Sequence, residues 1–162
     1  MQIQLKLIKE QIGGVLPFEY ELDLSELEPR MKDAVKVSGA VRNRAGVLLL
    51  DMQMDGVLEV MCDRCTKEFE REVNVDYETA VVDHIMGEEC DDILVCEDDV
   101  LDLDELASQI FILELPSKNL CREDCKGLCH KCGTDLNVST CNCAQQEIDP
   151  RLMKLRELLD EE

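Results

Sequence analysis

Aromatic residues are nearly missing from this chain. Tryptophan is absent, and aromatic residues make up only 3% of the 162 residues. Hydrophobic residues still account for 45% and charged residues for 33%, which is the balance of a folded globular protein. We therefore expect one domain over residues 1–162, with a core built from Leu, Val, Ile and Met.

Long apolar runs are lacking as well. Residues 1–9 alternate apolar and polar side chains, whereas a signal peptide needs a continuous apolar stretch after a basic start. No segment approaches the roughly 20 apolar residues that a membrane span requires. We expect a cytoplasmic protein that does not bind membranes.

Positive charge is scarce. The chain has 17 Lys and Arg against 37 Asp and Glu, a formal net charge of −20. This balance argues against a protein that coats nucleic acid, because phosphates are neutralised by Lys and Arg. Residues 88–105 hold ten acids and no base, and such a run is usually a solvated surface or a contact for a basic protein.

Cysteine, in contrast, is abundant, with ten in the chain. In a reducing compartment, clustered thiols indicate metal or redox chemistry rather than disulfides. Eight of them form pairs: Cys62 and Cys65, Cys121 and Cys125, Cys129 and Cys132, and Cys141 and Cys143.

The last two pairs predict a structural zinc site. Two residues between Cys129 and Cys132 let both sulfurs face one ion, and Gly133 allows the tight turn that aims amides at sulfur. Cys141 and Cys143 follow closely enough to complete four thiolates. The other four cysteines, Cys62, Cys65, Cys121 and Cys125, form a second candidate site, although spacing alone also permits Cys125 to pair with Cys129. We thus expect one or two structural zinc ions.

Two other kinds of thiol chemistry compete with zinc. A redox dithiol needs a βαβ setting with its motif at a helix N-terminus, whereas Cys62 and Cys65 lie in a predicted hairpin. An iron–sulfur cluster uses the same thiolates and is not excluded. Four protein ligands close a zinc site to substrate, and no catalytic constellation or small-molecule site is evident. We expect a protein that is not an enzyme.

Basic residues near turns and cysteines have two interpretations. They either offset the negative zinc–thiolate centres as ordinary solubilising charges, or they form a contact surface for RNA or an acidic partner. The candidates are Arg42, Arg44, Arg64, Lys67, Lys118, Arg122, Lys126 and Lys131.

Residues 1–82 are predicted to be mainly β-strands. Short strands are expected over 2–9 and 18–24 around a Gly13-Gly14 turn, and a further turn over 43–46. Apolar residues then alternate with polar ones from Leu48 to Val60 and from Phe69 to Val81, which indicates two long antiparallel strands with one wet face. Cys62 and Cys65 fall at the apex between them.

The remainder predicts an acidic loop over 83–100 and a helix over 101–116, capped by Asp102 and stopped by Pro116. A cysteine-rich metal-binding segment follows over 117–148, and a C-terminal helix over 149–162. The predicted fold class is therefore α+β, a bent antiparallel sheet with two helices and a zinc-stapled cysteine-rich segment.

Several motifs resemble one known family. They are Cys62-Asp-Arg-Cys65, Leu115-Pro116, Leu120-Cys-Arg-Glu-Asp-Cys-Lys-Gly-Leu-Cys129, Cys132-Gly-Thr-Asp-Leu-Asn137, Cys141-Asn-Cys143 and Asp149-Pro-Arg151. In this order they resemble the YceD family of large ribosomal RNA subunit accumulation proteins, in a cysteine-rich branch. His130 stands where similar sequences often show proline. The resemblance implies a role in the accumulation or maturation of large-subunit ribosomal RNA and brings no catalytic residues.

The leading hypothesis is a non-enzymatic ribosome-biogenesis adaptor. Its expected partner is a ribosomal protein, a processing enzyme or pre-ribosomal RNA, with an acidic surface holding a basic protein. The alternative is a zinc- or redox-responsive regulatory protein that acts through its thiolates. A nuclease would need metal-binding acids such as Asp91 and Asp92.

Overall fold

The computed structural model describes residues 1–82, 93–96 and 99–143. Over these ranges the protein is mostly β-sheet with two helices, so the α+β class is confirmed. The strands are β1 (Gln2–Gln4), β2 (Val15–Leu22), β3 (Val35–Arg44), β4 (Val47–Met61), β5 (Glu68–Val82), β6 (Ile93–Val95) and β7 (Val100–Asp102). The helices are α1 (Lys6–Lys9) and α2 (Leu103–Leu113).

Five strands form the main sheet, in the order β2-β3-β4-β5-β6. The first four strands are antiparallel neighbours, as predicted, but β6 pairs with β5 in parallel. The prediction of a purely antiparallel sheet was therefore wrong at this edge. A separate antiparallel pair joins β1 to β7, with Ile3 opposite Leu101.

The β4–β5 hairpin is the longest element of the fold. Its burial alternates along β4, where the even-numbered residues from Leu48 to Val60 are buried, as their spacing predicted. The register sets Leu50 opposite Thr79 and Met54 opposite Val75, and all four side chains are buried on the same face. This face packs with Leu103, Ala107 and Phe111 of α2 in one hydrophobic core.

The predicted turn over 43–46 joins β3 to β4. Ala45 and Gly46 both have positive φ, 53° and 92°, which matches the twist of a two-residue hairpin turn. The buried Asn43 side chain holds this turn by accepting from the Gly46 amide at 2.9 Å. It also donates to the carbonyl oxygens of Ile8 and Lys9, so the turn is tied to α1.

The expected strand over 2–9 was wrong beyond Gln4. Leu5 and Ile8 are buried whereas Leu7 is 78% exposed, a spacing of three that suits the short helix α1. Alternation of Ile3, Leu5 and Leu7 in the sequence is also compatible with a strand, and this compatibility caused the error.

The predicted acidic loop over 83–100 was wrong at Ile93–Val95 and at Val100, which lie in strands. Ile93, Leu94 and Val95 form the parallel edge strand β6, and the chain returns through β7 to pair with β1. Apolar residues within the acidic run therefore join the sheet, because their backbone groups find partners on β5. Residues 83–92 lie outside the described residues.

The helix predicted over 101–116 is shorter, Leu103–Leu113, because Val100–Asp102 is strand. Asp102 caps it as expected, accepting from the backbone N–H groups of Asp104 and Glu105. The helix predicted over 149–162 lies outside the described residues. Within the described parts of the chain, no helix is both long and apolar enough to cross a membrane.

Candidate metal centres

The apex of the β4–β5 hairpin is a tight knuckle. The Cys62 amide donates to the Lys67 carbonyl at 2.9 Å, and the Thr66 amide donates back to the Cys62 carbonyl at 2.9 Å. This turn aims the amides of Arg64 and Cys65 at the Cys62 sulfur and the Lys67 amide at the Cys65 sulfur. Such N–H groups stabilise thiolates.

A second knuckle, at Cys129, has the same pattern of backbone hydrogen bonds as the first knuckle. The Cys129 amide donates to the Thr134 carbonyl at 2.8 Å, and the Gly133 amide donates to the Cys129 carbonyl at 2.8 Å. The amides of Lys131 and Cys132 face the Cys129 sulfur, and the Thr134 amide faces the Cys132 sulfur. Two segments far apart in sequence thus present their cysteines in the same way.

Each knuckle has a left-handed residue directly after its second cysteine. In the second knuckle it is Gly133, with φ of 72°, which agrees with the reason given for this glycine from the sequence. In the first it is Thr66, with φ of 59°, an uncommon conformation for a β-branched residue. The first knuckle therefore stores backbone strain that the second does not.

The first knuckle forms one half of a four-cysteine cluster, which we call the hairpin cluster. Its members are Cys62, Cys65, Cys121 and Cys125, whose sulfur atoms all lie within 4.8 Å of one another. The Sγ atoms of Cys62 and Cys125 are 3.8 Å apart, and those of Cys65 and Cys121 are 3.6 Å apart. Three of the four residues are buried.

The second knuckle belongs to another group, the distal cluster. Its members are Cys129, Cys132, Cys141 and Cys143, again with all sulfurs within 4.8 Å of one another. Cys129 is buried, Cys132 is exposed, and the other two are half-buried. Of the pairings that spacing left open, the structure groups Cys125 with Cys62 rather than with Cys129.

Both clusters fit a tetrahedral metal ion. Four sulfurs at about 2.3 Å from a central zinc lie about 3.8 Å from one another, close to the separations in the hairpin cluster. A disulfide would instead bring two sulfurs to about 2.05 Å. The described residues therefore contain two clusters that can hold a metal ion, each with four thiol ligands.

The thiols of each cluster differ in acidity. Hydrogen bonds, led by the Cys121 amide, lower the pKa of Cys62 to about 6, and those led by the Thr134 hydroxyl lower the pKa of Cys132 to about 6. Burial raises the pKa of Cys121 to about 12, and the neighbouring Cys132 raises that of Cys143 to about 12. Each cluster thus contains one thiol whose pKa is lowered and one whose pKa is raised.

Hydrogen bonds also join the hairpin apex to the cysteine-rich segment. The Asp63 amide donates to the Asn119 carbonyl at 2.8 Å, and the Asn119 amide donates to the Asp63 carboxylate at 2.6 Å. The Arg64 guanidinium donates to the Cys125 carbonyl at 2.7 Å, and the Arg64 carbonyl accepts from the Leu128 amide at 3.0 Å. These hydrogen bonds therefore hold the cysteine-rich segment against the hairpin apex, in addition to any metal ion bound by the hairpin cluster.

Gly127 makes this close approach possible. A Cβ atom at this position would lie 2.8 Å from the Arg64 carbonyl oxygen, closer than real Cβ contacts, and its φ of 74° favours glycine independently. Any side chain here would push the cysteine-rich segment away from the hairpin apex.

Sequence reasoning missed the polar residues that support the ligands. Asn137 donates to the Cys125 sulfur at 3.4 Å and accepts from the Lys126 amide at 2.8 Å. Asn119 is buried between the hairpin and the cysteine-rich segment. The one available sequence signal was that these residues fall in a segment poor in apolar side chains. Polar contacts must stabilise the structure of such a segment.

The basic candidates divide into two groups. Six of them lie on the hairpin apex or on the cysteine-rich segment joined to it, namely Arg64, Lys67, Lys118, Arg122, Lys126 and Lys131. Arg42 and Arg44 do not join them. Arg42 is opposite Leu49, about 40 Å along β4 from the apex, and forms an ion pair with Asp51 at 3.0 Å.

The acidic candidates for a nuclease centre, Asp91 and Asp92, lie outside the described residues. So does Cys90. Cys96, by contrast, is buried beside β6, and its thiol donates to the Val100 carbonyl at 3.1 Å.

The structure defines the class of protein, a mainly β protein with two four-cysteine clusters at one end of its sheet. Sequence comparison identifies the family. Residues 50–159 match the family described as "Large ribosomal RNA subunit accumulation protein YceD". This match covers more than half of the chain, which therefore belongs to the YceD family, as its motifs indicated.

Individual relatives are bacterial. The chain is similar to the YlbN protein of Bacillus subtilis (strain 168), at 25% identity over 152 residues that cover 90% of this chain and 88% of that protein. It is also similar to Mb2951c of Mycobacterium bovis, at 42% identity over 40% of this chain and 31% of that protein. ML1660 of Mycobacterium leprae is 39% identical over 38% of this chain and 28% of its own length. No solved structure matches the chain.

Proposed function

We propose that this protein is a non-enzymatic ribosome-biogenesis factor of the cytoplasm, which aids the accumulation or maturation of large-subunit ribosomal RNA. The family description supports a role at this RNA. The observation that carries the adaptor mechanism is the hairpin cluster, whose two halves come from the apex of the sheet and from the segment after α2.

Zinc is the metal that we propose for both clusters. Cys62, Cys65, Cys121 and Cys125 would hold one ion, and Cys129, Cys132, Cys141 and Cys143 the other. When bound, zinc supplies a tetrahedral crosslink that makes folding of these segments depend on the metal. The residues themselves hold the geometry, because each knuckle already directs its amides at the sulfurs.

A structural role follows from the ligand set. Four cysteine ligands fill a tetrahedral zinc, so neither water nor substrate has a place on the ion, and this supports an adaptor rather than a metal-dependent nuclease.

Charge near the clusters favours a protein partner over RNA. The apex and residues 117–143 contain six Lys or Arg and four Asp or Glu. Each zinc with four thiolates carries a net charge of roughly −2, so the surplus of bases is fully used in offsetting the two centres. We therefore propose a ribosomal protein or processing enzyme as the direct partner, with pre-ribosomal RNA reached through it.

Depletion of the protein in its own organism tests this function. We expect the ratio of large-subunit to small-subunit ribosomal RNA to fall, and the wild-type chain to restore it. The Cys65→Ser variant, which removes a ligand of the hairpin cluster, should fail to restore it. An unchanged ratio after depletion would refute the proposed role.

The exposure of Cys132 favours one alternative, a zinc- or redox-responsive protein acting through the distal cluster. An accessible thiolate exchanges metal or meets oxidants more readily than a buried one. Mild chelation distinguishes the two: a structural site retains its zinc, whereas a responsive site releases it reversibly without global unfolding, measured by a colorimetric zinc indicator together with circular dichroism.

A further inference from the structure

Among the residues that the structure describes, the main sheet has one buried face and one exposed face, which we call the open face. Its inner face forms the core with α2, whereas the outward residues of β2 to β5 are mostly exposed or half-exposed. Residues of β2, β3, β4 and β5 line a depression on this face. A trough of about 770 Å³ lies there.

The two sides of this trough differ in chemistry. Val15, Pro17, Ala40 and Arg42 line it on β2 and β3, and Asp51, Asp76 and Glu78 line it on β4 and β5. Ser38 and Gln53 provide hydrogen-bonding groups between the two sides. An apolar wall, whose one charged residue Arg42 is paired with Asp51, therefore faces an acidic wall, in a volume within the range of binding pockets.

Carboxylates of the acidic wall repel one another. Asp51 is directly opposite Glu78 across the β4–β5 ladder, and like charges in this position destabilise a sheet. Arg42 neutralises Asp51 through their ion pair. Asp76 and Glu78 form no ion pair with any residue that the structure describes, so they are available to an external cation.

We propose that this trough binds a basic segment of a protein partner, with lysine or arginine side chains on the acidic wall and an apolar side chain on the Val15 wall. This inference rests on the proposed function and names the chemistry of its partner. Charge complementarity selects the occupant, since the −20 chain repels nucleic acid and a second copy of itself.

Binding can be measured by fluorescence anisotropy on the full chain loaded with zinc. The probe is a fluorescein-labelled peptide of alternating lysine and valine, and the same peptide with glutamate in place of lysine serves as its control. We expect the lysine peptide to bind, with an affinity that falls as salt rises. The glutamate peptide should not bind. Absence of lysine-peptide binding would overturn the proposal.

A charge-neutralising pair locates the binding. Asp76→Asn with Glu78→Gln should weaken the lysine peptide about tenfold and raise the Tm of the free chain by about 2 °C, because it removes repulsion. Glu68→Gln with Glu72→Gln is the matched control, since both lie on the same face of β5 closer to the apex. It should change affinity less than about twofold. If both double variants weakened peptide binding equally, the peptide would be attracted by the overall charge of the chain, and the trough would not be its binding site.

The apolar wall has its own variant. Val15 is 56% exposed, so Val15→Ser should leave the fold intact and weaken the peptide about threefold. Unchanged affinity would remove the apolar wall from the proposal. If an RNA oligonucleotide bound more strongly than the peptide, the face would bind RNA instead. If the chain formed a dimer that the Asp76→Asn/Glu78→Gln variant abolished, the face would bind a second copy. Either result would overturn the proposal.

The two proposals can fail separately. If depletion leaves the ribosomal RNA ratio unchanged while the trough binds the lysine peptide, the biological role is wrong and the site stands. If the ratio falls but the Asp76/Glu78 pair restores it as well as the wild-type chain does, the role stands and the trough is not its partner site.

Discussion

The two four-cysteine clusters have the same ligands and the same knuckle but opposite surroundings. In the hairpin cluster, Cys62 and Cys125 are each 1% exposed, and the paired sulfurs come from residues 56 and 63 positions apart. The distal cluster is built within residues 129–143 and exposes Cys132. One ligand set therefore serves two purposes: the first cluster joins distant parts of the fold, and the second orders a local segment.

The energetic difference follows from chain entropy. Cys65 and Cys121 are 56 positions apart, whereas Cys132 and Cys141 are nine apart. Closing the longer loop costs about 1.6 kcal/mol more by the logarithmic law. A metal ion bound at the hairpin cluster would offset the larger cost, so we expect its loss to affect the whole fold and loss of an ion from the distal cluster to affect only its own loop.

The largest expected effect comes from breaking each cluster at the same knuckle position. Cys65→Ser should lower the free energy of unfolding by about 3 kcal/mol, a Tm decrease of about 10 °C, because it removes a buried ligand that joins two segments. Cys132→Ser should lower it by less than about 1 kcal/mol. Differential scanning calorimetry measures both, and equal losses would remove the distinction between the clusters.

A smaller effect is expected from the hydrogen bonds around the hairpin cluster. Arg64→Ala removes the bond from its guanidinium to the Cys125 carbonyl and should cost about 1 kcal/mol. Lys67→Ala removes the same charge at the same apex and serves as the control, with an expected cost within about 0.5 kcal/mol. If chemical denaturation gave the two variants equal stability, charge rather than the Arg64 bond would be responsible.

The smallest effects come from exchanging the left-handed residues. Thr66→Gly relieves the strain at φ 59° and should be neutral or stabilise by up to about 1 kcal/mol. Gly133→Thr places a β-branched side chain at φ 72° and should destabilise the distal segment by about 1–2 kcal/mol. Hydrogen exchange of the amides in each knuckle measures these changes, and a stabilising Gly133→Thr would contradict the account.

Local patterns predicted the regular part of the fold because local chemistry determines it. Period-two alternation defined β4 and β5, and the glycine in the 43–46 turn and the carboxylate of Asp102 marked the ends of their elements. Cys-x-x-Cys spacing likewise implied the knuckles, since only two sulfurs and a short turn are involved.

Features that depend on residues distant in the sequence could not be predicted from local patterns. The strand β6 is three residues long, and its backbone pairs with β5, which is distant from it in local sequence pattern. Helix α1 depends on Asn43, whose side-chain amide donates to the carbonyl oxygens of Ile8 and Lys9, 35 and 34 positions away, at the end of the helix. The contacts of Asn119 reach the hairpin apex, and those of Asn137 reach residues 11 and 12 positions away, and spacing along the chain carries no information about them.

Metal content per chain tests the central claim most directly. Inductively coupled plasma mass spectrometry on the purified protein, and on Cys65→Ser and Cys132→Ser, should find two zinc ions in the wild type and one in each variant. Loss of one ion in each would establish two independent centres. A wild-type chain without zinc, with iron in its place, or with the same metal content as Cys65→Ser would contradict the account.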